Sequence, residues 1–329
     1  MPQITDTFPV DPDIAWQVQE STQEIGFDEY GLYATLSVKN VSQIFRWIEA
    51  GSFLMGSPEN EKGREPWGKE TQHQVTLNQG FWMADTTVTQ AFWQAVMGEN
   101  PSHFNEEGKA FSSQQNPVEQ VSWDDCQQFI KTLKQHFNTL ACRLPTEAQW
   151  EYACRAGTQT AFNFTGELDL EKVNYNGNWG NFDDNEQAKN QTTAVKNYPC
   201  NAWGLYEMHG NVWEWCSDSW QNGLGSEPQI DPEFFKASSE RVLRGGGWSD
   251  RGRNMRSAMR NYYSPGVRYD RIGLRLVVGQ SSTSLQTSFQ ASSVSGRTGS
   301  SVKQETVSTD TELAPTNKES FLSKLNPFK

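Results

Sequence analysis

The chain has 329 residues and a formal net charge of −12, enough length for one large domain or two ordinary ones. An acidic balance of that size argues against nucleic acid or an anionic membrane as partner; it suits a hard cation such as calcium, and equally plain solubility. The five cysteines include no C-x-x-C pair, the start MPQITDTFPVDPDIAW has no secretory pattern, and no run reaches membrane-spanning length; a cytoplasmic protein with buried free thiols is expected.

Residues 1–44 read as an acidic, weakly patterned N-terminal lead-in with a short helix around Ile14–Ile25. From Phe45, FRWIEAGSFLMGS alternates apolar and polar positions as a strand does and closes at Gly56. After a charged loop, HQVTLNQGFWMADTTVT supplies two more short strands. Three helices carry start signals. Thr87 and Gln90 have capping-box spacing before AFWQAVM, whose Phe92, Ala95 and Val96 share a face. Ser122 and Asp125 open a second helix reaching about His136, with Trp123, Phe129, Ile130 and Leu133 as its buried stripe. Thr146 and Gln149 open a third, EAQWEYACRAG, which stops at Gly157. Arg143 and Glu151 stand where a structural ion pair would form near that helix start.

Residues 158–240 are rich in Asn, Gly, Asp and aromatics and hold few periodic runs, so side-chain networks or bound metal must tie them down. From Arg241 to Leu276, a Gly-Gly-Gly-Trp opening and an Ile-Gly-Leu-Arg-Leu ending bracket a stretch without helical or strand period. Fixed ends around a chemically mixed middle read as a presented surface. Beyond Gly279 the composition turns to Ser, Thr, Gln and Gly without Trp, Tyr or Cys, and 280–329 is expected to be a disordered tail. Its last residues place Phe321, Leu322, Leu325 and Phe328 either as a frayed end or as a short amphipathic anchor that would dock a partner.

LPTEAQWEYACRAG, NAWGLYEMHGNVWEW and RVLRGGGW…IGLRL, with PVEQVSW and GSFLMGS, make residues 45–279 resemble the formylglycine-generating enzyme family, also called the sulfatase-modifying factor domain family. The resemblance implies an α+β, C-type-lectin-like fold of short twisted sheets, a few helices and long loops held by calcium. It also implies a calcium loop formed by the Glu207 and Glu214 carboxylates and the Gly210 and Val212 carbonyls. Without calcium, the same loop reads as a turn whose Trp213 and Trp215 are core and whose Glu214 pairs with an arginine.

Catalysts of this family oxidise a substrate cysteine with Cu(I) held between two thiolates, soft ligands for a soft ion. On this chain those positions fall on Asp250 and Met255, and the serine of the glycine-rich motif falls on Gly247. A carboxylate and a thioether do not replace the thiolate pair, so no copper is expected. A sulfoxide-forming iron oxygenase carries a similar domain but needs clustered histidines, whereas His73, His103, His136 and His209 are isolated in this sequence.

The bracketed stretch also resembles the variable proteins of diversity-generating retroelements, which hold changeable residues between similar ends. On that resemblance Ser249, Asp250, Arg251, Met255, Met259, Tyr262, Tyr263, Val267, Tyr269, Asp270 and Arg271 form the ligand-binding surface, rich in the Tyr, Arg and Met types that mark interfaces. Adenine-directed change of Asn codons leaves a pyrimidine in third place, which no Met codon has. Met255 and Met259 are then fixed positions, or the stretch is not hypervariable. The expected function is non-catalytic binding of a protein or other macromolecule through 249–271, with no nucleic acid and no membrane span; the alternative is a copper-dependent oxidoreductase of the formylglycine-generating type.

Overall fold

The computed structural model describes residues 24–64, 69–105, 114–137, 140–177, 187–236 and 239–279. The sequence-predicted helix falls mostly outside these residues, and its last two, Glu24 and Ile25, belong to a strand instead. The tail and its apolar anchor lie outside them entirely.

The first four strands are β1 (Glu24–Asp28), β2 (Gly31–Val38), β3 (Val41–Ile48) and β4 (Gly51–Met55). Alternate residues Leu32, Ala34, Leu36 and Val38 of β2 are buried, the period-two pattern of a strand with one face on the core. Strand pairing thus begins well before Phe45. β5 (His73–Leu77) and β6 (Phe81–Ala84) follow, then helix α1 (Gln90–Met97). The N-cap of α1 is Thr89, whose hydroxyl accepts from the Phe92 N–H, not Thr87. Gln90 is buried and donates to the Phe104 and Pro117 carbonyls, so it cannot reach back as the box requires.

Helix α2 (Trp123–His136) starts with the Ser122–Asp125 box, and α3 (Glu147–Arg155) with the Thr146–Gln149 box. Between them lies the short strand β7 (Cys142–Arg143). The long loop tract then carries only β8 (Trp213–Ser219) and β9 (Gln229–Ile230) before β10 (Arg241–Arg244), β11 (Asn261–Tyr263), β12 (Ile272–Leu274) and β13 (Val277–Val278).

Three sheets result, with strand orders β1-β2-β3-β6-β13-β7, β11-β10-β8-β12 and β4-β5-β9. In the second, β12 runs parallel to β8 while β10 and β11 run antiparallel. Side chains from this sheet go to two apolar clusters. Trp213, Trp215 and Leu243 join one with Phe92, Phe129 and Leu133; Cys216 and Val242 join the other with Trp150, Met55 and Phe81. β8 is buried on both faces, and its one charged residue within the Trp213–Cys216 stretch, Glu214, is paired with Arg275. Cys126, Cys142, Cys154 and Cys216 are buried free thiols and Cys200 is half-buried. Among the described residues no helix is long and apolar enough to cross a membrane.

Candidate functional site: the segment between β10 and β12

Both brackets of the segment pair with the same strand: Leu243 and Arg244 of β10 lie opposite Trp215 and Glu214, and Ile272 to Leu274 of β12 align with Trp213 to Trp215. The chain therefore leaves and re-enters one sheet on either side of β8. Between these points it turns at Gly246 and forms a single 3₁₀ turn, Gly252–Met255; it then adds β11 as an edge strand. Gly246 has φ +80°, and a Cβ there would lie 2.2 Å from Met255 Cε and 2.8 Å from the Asn254 carbonyl oxygen. Only glycine fits that turn.

The expected surface residues separate into inward and outward sets. Met255 is 0 % exposed and packs with Phe162, Val173 and Tyr175, so it is core and not a ligand contact. Met259 packs against the main cluster, and its carbonyl accepts from Arg244 Nη1 at 2.7 Å. Asp250 is structural as well. Its Oδ2 accepts from Trp213 Nε1 at 2.7 Å and the Gly247 N–H at 3.1 Å, and its Oδ1 accepts from Asn254 Nδ2 at 3.0 Å. Tyr262 stacks on Trp220 with centroids 4.4 Å apart, and Tyr263 leans on the main cluster. These two tyrosines are margins of the core more than display groups.

Ser249, Arg251, Val267, Asp270 and Arg271 are half-buried, and Tyr269 is 40 % exposed. The Arg271 guanidinium lies 5.1 Å from the Tyr269 ring centroid, and the Tyr263 ring 5.3 Å away on a tilted approach. Tyr269, Arg271 and the edge of Tyr263 form an aromatic and cationic patch of the kind that anchors interfaces.

Buried arginines hold the segment from beneath, and the sequence reading missed them. Arg256 pairs with Glu70 and Glu61, Arg260 with Glu147, and Arg244 with both Glu151 and Glu147. Arg256, Arg260 and Arg244 are all buried, as are Glu70, Glu147 and Glu151. Glu151 also binds Arg155 at 2.8 Å and the Gly56 N–H at 2.8 Å, while Arg143 donates to Gln149 Oε1 and the Leu144 carbonyl. The expected Arg143–Glu151 pair is thereby replaced. The arginines beside Glu151 hold its carboxyl below the usual range despite burial. Arg256 and Arg260 look no different in sequence from Arg251 or Arg253, and their partners lie far upstream.

The calcium loop fits in part. Glu214 is fully buried, and its oxygens accept from Trp150 Nε1 at 2.7 Å and from Arg275 Nε and Nη2 at 3.0 and 2.9 Å. That occupancy withdraws Glu214 from the metal set, leaving it as the arginine partner. Glu207 accepts from the Asn197 N–H at 3.1 Å through Oε1, while its buried Oε2 has no partner. Burial pushes the Glu207 carboxyl up to about 7. A buried carboxylate oxygen without a hydrogen-bond partner is a donor that a hard cation would use.

The histidines do not cluster. His209 is buried, donates from Nδ1 to the Met255 carbonyl at 2.5 Å and accepts at Nε2 from the Asn163 N–H at 3.1 Å. Burial lowers it to about 4, so it stays neutral. Cys154 Sγ lies 3.8 Å from His209 Nε2, yet burial pushes that thiol up to about 12, and the pair has neither thiolate nor access. His73 is buried on the Thr71 carbonyl, and His103 and His136 are exposed.

A small, loop-rich α+β scaffold with a bracketed segment on one sheet defines a C-type-lectin-like protein of the formylglycine-generating-enzyme variety. The profile of the sulfatase-modifying factor enzyme 1-like domain matches residues 34–280, and the chain belongs to that family. It is 32 % identical over 163 residues to the formylglycine-generating enzyme of Bos taurus, covering 48 % of this chain and 42 % of the relative. It is 27 % identical over 256 residues to the serine/threonine-protein kinase pkn1 of Chlamydia caviae, covering 71 % of this chain and 37 % of the relative. The chain thus spans about two fifths of the length of these curated relatives. Among solved structures it is similar to Treponema denticola variable protein 1, with a TM-score of 0.64 and 28 % identity, covering 75 % of this chain and 98 % of that one.

Proposed function

We propose that the chain is a non-catalytic ligand-binding protein that displays the outward residues of 249–271 on a formylglycine-generating-enzyme-like scaffold. One observation carries this reading. The two positions where the resemblance puts copper thiolates hold an aspartate whose oxygens accept three N–H groups and a methionine wholly inside the core. Neither side chain is available to a soft ion or a substrate thiol. What reaches the surface instead is the exposed Tyr269 with the half-buried Ser249, Arg251, Val267, Asp270 and Arg271, mounted on a base tied down by buried ion pairs. A preorganised base lowers the ordering cost of capturing a macromolecular ligand. Similarity to a variable protein supports the same reading, and so does the inward packing of Met255 and Met259, the two residues adenine-directed change cannot produce.

Two tests bear on it. Incubation with copper and a cysteine-containing acceptor peptide leaves the thiol intact; an aldehyde trapped by a hydrazine probe establishes the oxidoreductase alternative. Sequencing this coding region across closely related isolates finds replacements concentrated at Ser249, Arg251, Val267, Tyr269, Asp270 and Arg271 and none at Gly246, Met255, Arg256 or Arg260. Replacements spread evenly over the segment reject the display reading. Calcium at this fold's loop rests on Glu207 with the Gly210 and Val212 carbonyls, and is a separate proposal tested below.

A further inference from the structure

A second site lies on the N-terminal hairpin, and no residue of 249–271 lines it. Phe27, Tyr30, Trp47 and Trp203 surround a cavity of about 220 Å³ that also takes in Glu49. Phe27 is 63 % exposed on β1, the edge strand of the six-stranded sheet. The other three rings are fixed by packing. Trp47 meets Trp82 edge-on at 5.4 Å, and Gly80 leaves it room, since a Cβ there would lie 2.3 Å from Trp47 Cζ2. Trp203 meets Tyr152 edge-on at 4.9 Å. Tyr30 lies against Gly204, which has φ +72° and where a Cβ would come within 2.9 Å of the Tyr30 side chain.

The charge around this box is negative. Trp47 Nε1 donates to Glu49 Oε1 at 2.8 Å, which orients the carboxylate beside the rings. Arg46 lies 5.3 Å from the Tyr30 centroid and is neutralised by Asp28 at 2.6 Å. Tyr30 is therefore already in contact with one cation through its ring.

From this geometry we infer that the pocket binds a methylated ammonium group. Aromatic faces attract a cation through their quadrupole, and four rings around one space with a carboxylate beside it favour positive charge over a neutral apolar group. A quaternary ammonium has no N–H to leave unsatisfied, so it enters an aromatic box at less desolvation cost than a primary amine. The volume is below the roughly 300–1,000 Å³ of pockets for whole drug-sized ligands, so it receives a head group. Phe27, Tyr30, Gly31 and Leu32 all precede residue 34, where the family match begins, so the shared domain alone does not build this site. The inference is independent of the display reading.

Calorimetric titration of the full chain with choline, and with its uncharged isostere 3,3-dimethylbutan-1-ol, tests it. Choline binds, and the isostere binds at least tenfold more weakly. Phe27→Ala weakens choline by about two- to fivefold, the range for partly exposed cation–π contacts, and Glu49→Gln, which removes the neighbouring negative charge, also weakens it measurably. Both side chains are exposed, so their melting temperatures match the parent. Phosphocholine and a trimethyl-lysine peptide identify the source: whichever binds more tightly than free choline names the natural ligand. Equal affinity for choline and its isostere, no binding of either, or parent-like affinity in both variants overturns the proposal.

Discussion

Arg256 and Glu70 face each other fork to fork, Nη1 to Oε2 at 2.7 Å and Nη2 to Oε1 at 2.8 Å, with both side chains buried. The pair fastens the middle of the bracketed segment to the loop that follows β4. Together with Arg260–Glu147 and Arg244–Glu151 it sets the path of the backbone from inside, independently of which side chains point outward.

Removing Glu70 takes away the bidentate partner of a fully buried guanidinium and leaves Arg256 with Glu61 alone. Glu70→Ala is expected to cost about 3–5 kcal/mol in urea denaturation. Hydrogen exchange in Glu70→Ala is expected to rise first in residues 252–259. A loss below about 1 kcal/mol shows that the pair does not hold the segment.

Inward and outward residues differ in what their loss costs. Met255→Ala opens a cavity beside Phe162 and Tyr175 and is expected to cost about 2–5 kcal/mol. Tyr269→Ala is expected to change stability by no more than about 0.5 kcal/mol. Gly246→Ala meets both Met255 and a positive φ and is expected to destabilise more than an ordinary surface change. Comparable unfolding midpoints for Met255→Ala and Tyr269→Ala contradict this division.

Asp218 gives stability a pH dependence. Burial first, then the Glu147 charge, raises its carboxyl from 3.8 to about 7. Between those values the unfolded chain releases a proton that the folded chain keeps, so this contribution to stability falls as pH rises through the window and is constant above it. Asp218→Asn, which cannot titrate, is expected to flatten that limb in melting curves recorded from pH 4 to pH 8. An unchanged slope in the variant assigns the limb to another group.

Calcium at Glu207 predicts a lower melting temperature in chelator than in excess calcium. Glu207→Gln is expected to abolish that response, whereas Glu214→Gln destabilises with or without the ion because it weakens the Arg275 pair. Identical melting in chelator and calcium rejects a calcium site at this loop.

Local signals were readable where local chemistry made them. The Ser122–Asp125 and Thr146–Gln149 boxes were legible because a cap needs only a hydroxyl and a partner three residues on. Thr87 carried the same spacing and failed, because Gln90 was drawn into the core by the Phe104 and Pro117 carbonyls. The N-terminal strands were missed because apolar residues also occupy the outer face, Phe27 exposed on edge strand β1 and Tyr33 half-buried on β2, which blurs the alternation in the sequence.

By itself, the amino-acid order determined the family scaffold, the two brackets around Ser249–Arg271 and the absence of cysteine and histidine between them. It could not determine which bracketed residues face outward. Arg256 and Arg251 are the same residue type five positions apart, yet one is buried against Glu70 and the other half-exposed. Tertiary structure alone decides this, because ion pairing depends on distance in space, and Glu70 and Arg256 are 186 residues apart along the chain. The aromatic box follows the same rule. Phe27, Trp47 and Trp203 become a site only when the hairpin and a distant loop bring their rings around one space.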